Sequence, residues 1–279
     1  MRSTVIIYNK YATEMINISS EIGINKIVND DYFSYSSNNG VMILGVYDGH
    51  GGSETARYIS KQLPAMLAHY FEGMREIDLE KTLSEITNYI WKLDKEIVLN
   101  GIINDLSGTT VAICILLYRF NTIITCNIGD SLIAIRKGGE WKKLTTEHRI
   151  NTDSIDYQRI KKLNIPIYND NMIVNNKSIN ISRSIGDSDF KQIPYVIQIE
   201  QPIIPQPDFT VTSTKDVNEI FLCTDGITNI MNLESIAKIL EIKIDPEKKL
   251  NELMKRVINS FNTDDATCIY AVFLNNINS

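Results

Sequence analysis

The chain has 279 residues, 43% of them hydrophobic and 22% charged, which is enough apolar side chain for a sizeable core and too much for wholesale disorder. A net charge of −6 and an isoelectric point near 5.2 argue against a basic nucleic-acid footprint and fit a protein that gathers carboxylates around a cation. The longest apolar run, Val111 to Tyr118, falls far short of the ~18 residues that span a bilayer, and the N-terminal stretch is too short in apolar residues for a signal-peptide core.

Taken in order, the first clear element is the run Val41, Met42, Ile43, Leu44, which reads as a buried strand stopping at the glycine-rich segment GVYDGHGG, Gly45 to Gly52. Glycine there means either a simple turn or backbone that must approach something closely. Ser53 is placed to cap a helix through ETARYISKQL, with Ala56, Ile59 and Leu63 on one face and Pro64 expected to kink or end it. Leu79, Leu83, Ile86, Ile90, Leu93 and Ile97 recur at spacings of three and four and mark a second helix.

Two strands follow, TTVAICILLY and NTIITCNIG, joined by a turn near Arg119 to Asn121. SLIAIRKGGEWKKL reads as a hairpin through Gly138 and Gly139. From about Arg149 to Phe190 the chain turns polar and irregular, with one helical piece around DYQRIKKL, and reads as a surface insertion. EIFLCT is another buried strand, LESIAKIL and PEKKLNELMKRVINSF are helices, and ATCIYAVFL is a final strand. Helices in pairs between groups of strands favour antiparallel sheets over a doubly wound parallel sheet. Cys114, Cys126, Cys223 and Cys268 lie in apolar, strand-like segments without a C-x-x-C pair and read as reduced core residues of an intracellular protein, with a disulfide or metal role as the alternative.

Four acidic spots share one design, an Asp at a strand end beside glycine or another acid: Asp48, Asp130, Asp225 and the pair Asp264 and Asp265. Each alone is a common turn signal. Together they repel one another unless a cation neutralises them, and hard Mg²⁺ or Mn²⁺ ions take such oxygen ligands. Zinc fits badly, because His50, His69 and His148 are scattered and no H-E-x-x-H is present; the phosphate-cradling glycine loops are also missing.

VYDGHGG, SGTTVAICIL, NIGDSLIAI, INISRSIGDSDFK, LCTDGITNIM and DDATCIYAV stand in the order and approximate spacing of the type 2C metal-dependent Ser/Thr protein phosphatases, which nearly the whole chain resembles. The resemblance implies an α+β fold, a four-layer α-β-β-α sandwich of two antiparallel sheets flanked by helix pairs, formed by residues 1–279 as one catalytic domain with a flap-like insertion at about 149–190. It implies two Mg²⁺ or Mn²⁺ ions, with Asp48 bridging them, Gly49 lending its carbonyl, and Asp225 and Asp264 completing the ligands. Asp264 is chosen over Asp265 because the latter falls in the variable slot of the family's last motif. A water between two such cations ionises at neutral pH and attacks phosphorus in line. His50 resembles the general acid for the leaving alkoxide, while His69 and His148 are read as structural.

Upstream, GINKIVNDDYF resembles the family's first motif, which makes Lys26 the phosphate-binding residue, and Asp30 and Asp31 the residues that hold metal-bound water. Lys26 stands where the family has Arg, keeping charge but losing bidentate geometry. Asn229 replaces an Asp of a third metal site, to which Asp130 also belongs, and puts that site in question. Thr110 reads as a supporting residue, and Arg183 and Asp187 as sheet-edge residues closing the insertion onto the core. The implied activity is hydrolysis of phosphoserine and phosphothreonine in proteins by a monomer in the cytoplasm or nucleus, without nucleic-acid or membrane partners. Two alternatives share the fold: a pseudophosphatase that binds without catalysis, and a phosphatase for small molecules.

Overall fold

The computed structural model of the chain describes residues 2–8, 13–24, 26–103, 106–152, 154–191 and 201–273; Asn25 of the first motif and Asp153 of the insertion lie outside them. The chain opens with β1 (Arg2–Tyr8), β2 (Thr13–Glu21), β3 (Tyr32–Asn38), β4 (Val41–Tyr47) and the short β5 (Gly49–His50). Two helices follow, α1 (Glu54–Phe71) and α2 (Leu79–Val98), then β6 (Gly108–Thr109), β7 (Val111–Leu117), β8 (Thr122–Ile128) and the hairpin β9 (Leu132–Lys137) and β10 (Glu140–Lys143). The insertion carries α3 (Ile155–Lys162), β11 (Ile167–Tyr168), β12 (Asn171–Val174) and β13 (Lys177–Ile179), before β14 (Ile185–Gly186). The last part comprises β15 (Asp208–Ser213), β16 (Val217–Cys223), α4 (Asp225–Thr228), α5 (Leu233–Leu240), α6 (Pro246–Asn259) and β17 (Ala266–Phe273).

One main sheet runs β1-β2-β17-β16-β9-β10 and the other β15-β8-β7-β4-β3, with antiparallel pairing throughout both. Side chains alternate across a strand, and the alternation sorts these residues into three layers of packing. Leu44, Val46, Cys114, Leu116, Ile133, Ile220 and Ile269 fill the space between the sheets. Ile43, Ile113 and Ile115 on the opposite face pack against Ile59, Leu63 and Leu67 of α1 and Ile86, Ile90 and Leu93 of α2. Phe221, Cys223 and Tyr270 meet Ile236, Ile239, Leu250 and Leu253 of α5 and α6. The result is the α-β-β-α sandwich that the motif order implies. Strands buried on both faces explain why their sequences are almost continuously apolar, and each fully buried Ile or Leu contributes roughly 1.5–3 kcal/mol.

Local chemistry explains most boundaries. Asp78 caps α2 by accepting a 3.1 Å hydrogen bond from the Lys81 amide. Gly138 and Gly139 take positive φ values of 60° and 88° at the β9–β10 turn, as a two-residue hairpin requires. The four cysteines are buried and unpaired. Pro64 does not end its helix: α1 runs on to Phe71, because Leu67 and Phe71 continue the same buried face. The insertion is more ordered than its polarity suggests, with the β11-β12-β13 sheet over a small core of Ile150, Ile160, Met172, Phe190 and Ile203. Arg183 ties it down, as expected, pairing with Asp156 at 2.7 Å and Asp208 at 2.8 Å. Among the described residues no helix is long and apolar enough to cross a membrane.

Candidate active site

The strand ends at one edge of the sandwich deliver the acidic residues to a common cleft of about 900 Å³. Asp48 follows β4 and is clamped through its backbone: its carbonyl accepts from the Thr110 amide at 2.9 Å and from Thr109 Oγ1 at 3.1 Å, and its amide donates to Thr110 Oγ1 at 3.2 Å. The next residue must be glycine, since a Cβ on Gly49 would sit 2.2 Å from the Asp30 carbonyl oxygen. The second Asp-Gly step has the same cause. A Cβ on Gly226 would lie 1.9 Å from the Asp265 carbonyl oxygen, so glycine lets Asp225 at the start of α4 pack against the beginning of β17.

One carboxylate oxygen from each of Asp48, Asp130 and Asp225 lies within 4.8 Å of the others. Burial, together with the charges of Asp31, Asp225, Asp130 and Asp264, holds Asp48 well above the usual carboxylate range. Asp130 is pushed up to about 6 by burial and Asp225, against the opposing pull of Arg149. Asp31, buried and accepting a 2.7 Å hydrogen bond from Thr224 Oγ1, is pushed up to about 8, chiefly by burial. Carboxylates crowded in this way are accommodated by a hard divalent cation, and the all-oxygen donor set suits Mg²⁺ or Mn²⁺.

Asp264 and Asp265 part company. Asp265 is buried and its carboxylate accepts from the Gly23 amide at 2.9 Å and the Asp30 amide at 2.8 Å, fastening Gly23 and Asp30 to the residue that precedes β17. Asp264 lines the cleft but stands outside the triad of Asp48, Asp130 and Asp225, with its Oδ1 2.9 Å from Lys26 Nζ. Lys26 also reaches Asp265 Oδ2 at 3.0 Å. Burial opposes the charge of Lys26, and the two carboxylates overcome it and hold its ammonium above the usual lysine range. Asp30 lines the same cleft.

His50 also faces the cleft, its Nε2 2.7 Å from Asp187 Oδ2. Burial disfavours the imidazolium, but the Asp187 carboxylate outweighs it and raises the histidine's pKa. Asp187 is therefore more than a residue closing the insertion onto the core. It occupies a left-handed position with φ 51° and accepts from Ser184 Oγ as well as facing His50. His148 is structural: its Nδ1 accepts from the Gly129 amide at 3.0 Å, so its Nε2 carries the hydrogen toward Asp208 at 3.0 Å. His69 is exposed near the end of α1.

Sequence reasoning missed Arg149. Its guanidinium lies against the acidic cluster, 2.9 Å from Asp130 Oδ2 and 2.9 Å from Asp225 Oδ2, and donates to Asn229 Oδ1 at 2.9 Å. A basic residue in TEHRI carries no local cue for this, because its partners come from other strand ends.

A family model described as Protein phosphatase 2C matches residues 12–266. Probable protein phosphatase 2C 21 of Oryza sativa subsp. japonica is 25% identical over 264 residues, covering 82% of this chain and 74% of the relative. Probable protein phosphatase 2C 9 of Arabidopsis thaliana is 27% identical over 237 residues, covering 83% and 77%. Among solved structures, a phosphatase from a pathogenic strain of Toxoplasma gondii shares the fold with a TM-score of 0.76 at 20% identity, covering 97% of this chain and 96% of that one.

Proposed function

The chain belongs to the protein phosphatase 2C family of serine/threonine phosphatases, and from that premise we propose that it removes phosphate from phosphoserine and phosphothreonine in proteins with the help of divalent cations. The observation that carries this reading is the convergence of Asp48, Asp130 and Asp225 within 4.8 Å in the cleft that His50 also faces. Asp48, the Gly49 carbonyl, Asp225 and Asp264 would hold two Mg²⁺ or Mn²⁺ ions, and Asp30 and Asp31 would order water around them. Bound there, the ions supply Lewis acidity and a hydroxide nucleophile at neutral pH.

The chain's own groups do the rest. Lys26 attracts the substrate phosphate to the Asp264 side of the cleft, where its ammonium already stands. His50 delivers a proton to the departing serine or threonine oxygen, and Asp187 holds its imidazole in place through the 2.7 Å contact. The insertion, with Lys177 and Ile179 of β13 on the cleft wall, forms the flap across which a phosphorylated segment is presented. On this reading the protein acts as a single catalytic unit and a monomer, in the cytoplasm or nucleus.

Release of phosphate from a phosphothreonine peptide in the presence of Mn²⁺ tests this reading. The expected result is turnover that disappears with chelator and with Asp48→Asn, while circular dichroism shows both proteins folded. A folded wild type that releases no phosphate from the peptide or from p-nitrophenyl phosphate overturns it. Faster release from metabolite phosphates than from peptides would replace the substrate class while leaving the chemistry in place.

A further inference from the structure

Among the contacts of the acidic cluster, those of Arg149 stand apart because they link three groups with one rigid fork. Its Nη2 donates to both Asp225 Oδ2 and Asn229 Oδ1 at 2.9 Å, while its Nε stands 2.9 Å from Asp130 Oδ2 as an ion pair without hydrogen-bond geometry. Asn229 completes the arrangement by donating from Nδ2 to the same Asp225 Oδ2 at 2.9 Å. An amide is the side chain suited to that position: its oxygen accepts from Arg149 while its nitrogen donates to Asp225. A carboxylate at 229 could accept but not donate, and would face Asp225 with like charge.

We propose that Arg149 is a built-in cation of the metal site: with Asn229 it seals the Asp130–Asp225 edge of the cluster, occupying oxygens that a further divalent ion would need, and so limits how many ions bind and how tightly. This deepens the metal-dependent reading above and rests on it. A guanidinium is permanently charged and holds fixed planar geometry, so it offsets one unit of the negative charge that Asp130 and Asp225 share, whatever the metal concentration. It donates to one oxygen of Asp225 and lies in ion-pair contact with one oxygen of Asp130. The side facing Asp48, the third member of the triad, then remains the loading face. The Arg149 side chain is about 30% exposed and reaches the cluster from the start of the insertion.

The test is a Mn²⁺ titration at constant ionic strength, read by calorimetry and by the electron paramagnetic resonance signal of free Mn²⁺, on the wild type, Arg149→Gln, Arg149→Lys and Arg149→Gln/Asn229→Asp. Removing the positive charge should add one Mn²⁺ equivalent per chain or tighten binding at least tenfold. The double variant should show the larger gain and Arg149→Lys should stay near wild type. Stoichiometry and affinity unchanged in Arg149→Gln and in the double variant, or weaker binding in both, overturn the proposal while the metal-dependent reading stands. A wild type that binds no Mn²⁺, with Asp48→Asn identical to it, overturns both.

Discussion

Replacing Lys191 by Met removes half of an ion pair that is sealed from water. The Lys191 and Asp94 side chains are both 0% exposed and directly paired, Asp94 on α2 and Lys191 just after the insertion. Asp94 Oδ1 also accepts from the Gly186 amide at 2.9 Å, and Lys191 Nζ donates to the Ser184 carbonyl at 3.3 Å. Together they pin the turn from Ser184 to Asp187, which faces His50. Lys191→Met takes the cationic partner away from Asp94 inside the protein, a loss of about 3–5 kcal/mol from a total stability on the order of 5–15 kcal/mol. Adding Asp94→Asn replaces the carboxylate by a neutral amide while keeping an acceptor for Gly186, so the double variant should lose only about 1–2 kcal/mol. Urea denaturation followed by circular dichroism measures the stabilities, and phosphopeptide turnover by the folded fraction reads the turn. Each single variant should be less stable than the double and should lose kcat through a loosened Asp187. A loss under about 1 kcal/mol for Lys191→Met, or a double variant as unstable as the sum of the singles, refutes this account of the pair.

Asp187→Asn exchanges a charge-assisted contact to His50 for a neutral one, worth about 1.5–3 kcal/mol, and should lower kcat roughly 10- to 100-fold with little change in KM; an unchanged kcat would show that Asp187 does not hold the imidazole in place. Lys26→Ala should raise KM for phosphopeptides several-fold while Lys26→Arg restores it, the guanidinium keeping the charge; equal KM for wild type and Lys26→Ala would make Lys26 a tether for Asp264 and Asp265 alone. Asp208, held down to about 2 by His148 and, despite some burial, by Arg183, is depressed on folding, so its stabilisation is present above the unfolded value near 4 and fades as pH falls toward 2. The shift corresponds to about 2–3 kcal/mol, reduced to about 1 kcal/mol because the side chain is 44% exposed. The stability gap between wild type and Asp208→Asn should therefore be about 1 kcal/mol at pH 7 and close between about pH 4 and 2; a gap that widens on acidification contradicts the sign.

What could be read from the chain depends on how local its physical cause is. The strands β4, β7, β8 and β16 were legible because burial on both faces leaves near-continuous apolar runs, and α2 because its buried residues repeat at helical spacing. β2 was not, since its buried polar residues Asn17, Ser19 and Ser20 interrupt the signal, and it becomes a strand by pairing with β17, whose residues lie some 250 positions away. The Asp-Gly steps were visible as glycines, but their reason, the carbonyls of Asp30 and Asp265 that leave no room for a Cβ, belongs to the folded chain. Asp187 looked structural because its sequence neighbours are those of a turn, and only its proximity to His50 across 137 residues gives it a second role. Asn229 shows the same limit from the other side. As a letter in DGITN it reads as the loss of an acid; beside Arg149 it is an amide whose two ends are both used. A neutral residue there lowers the negative charge of the cluster by one while the arginine lowers it by another. Losing that acid and placing the arginine there act in one direction, toward a site that asks less of the ions it binds.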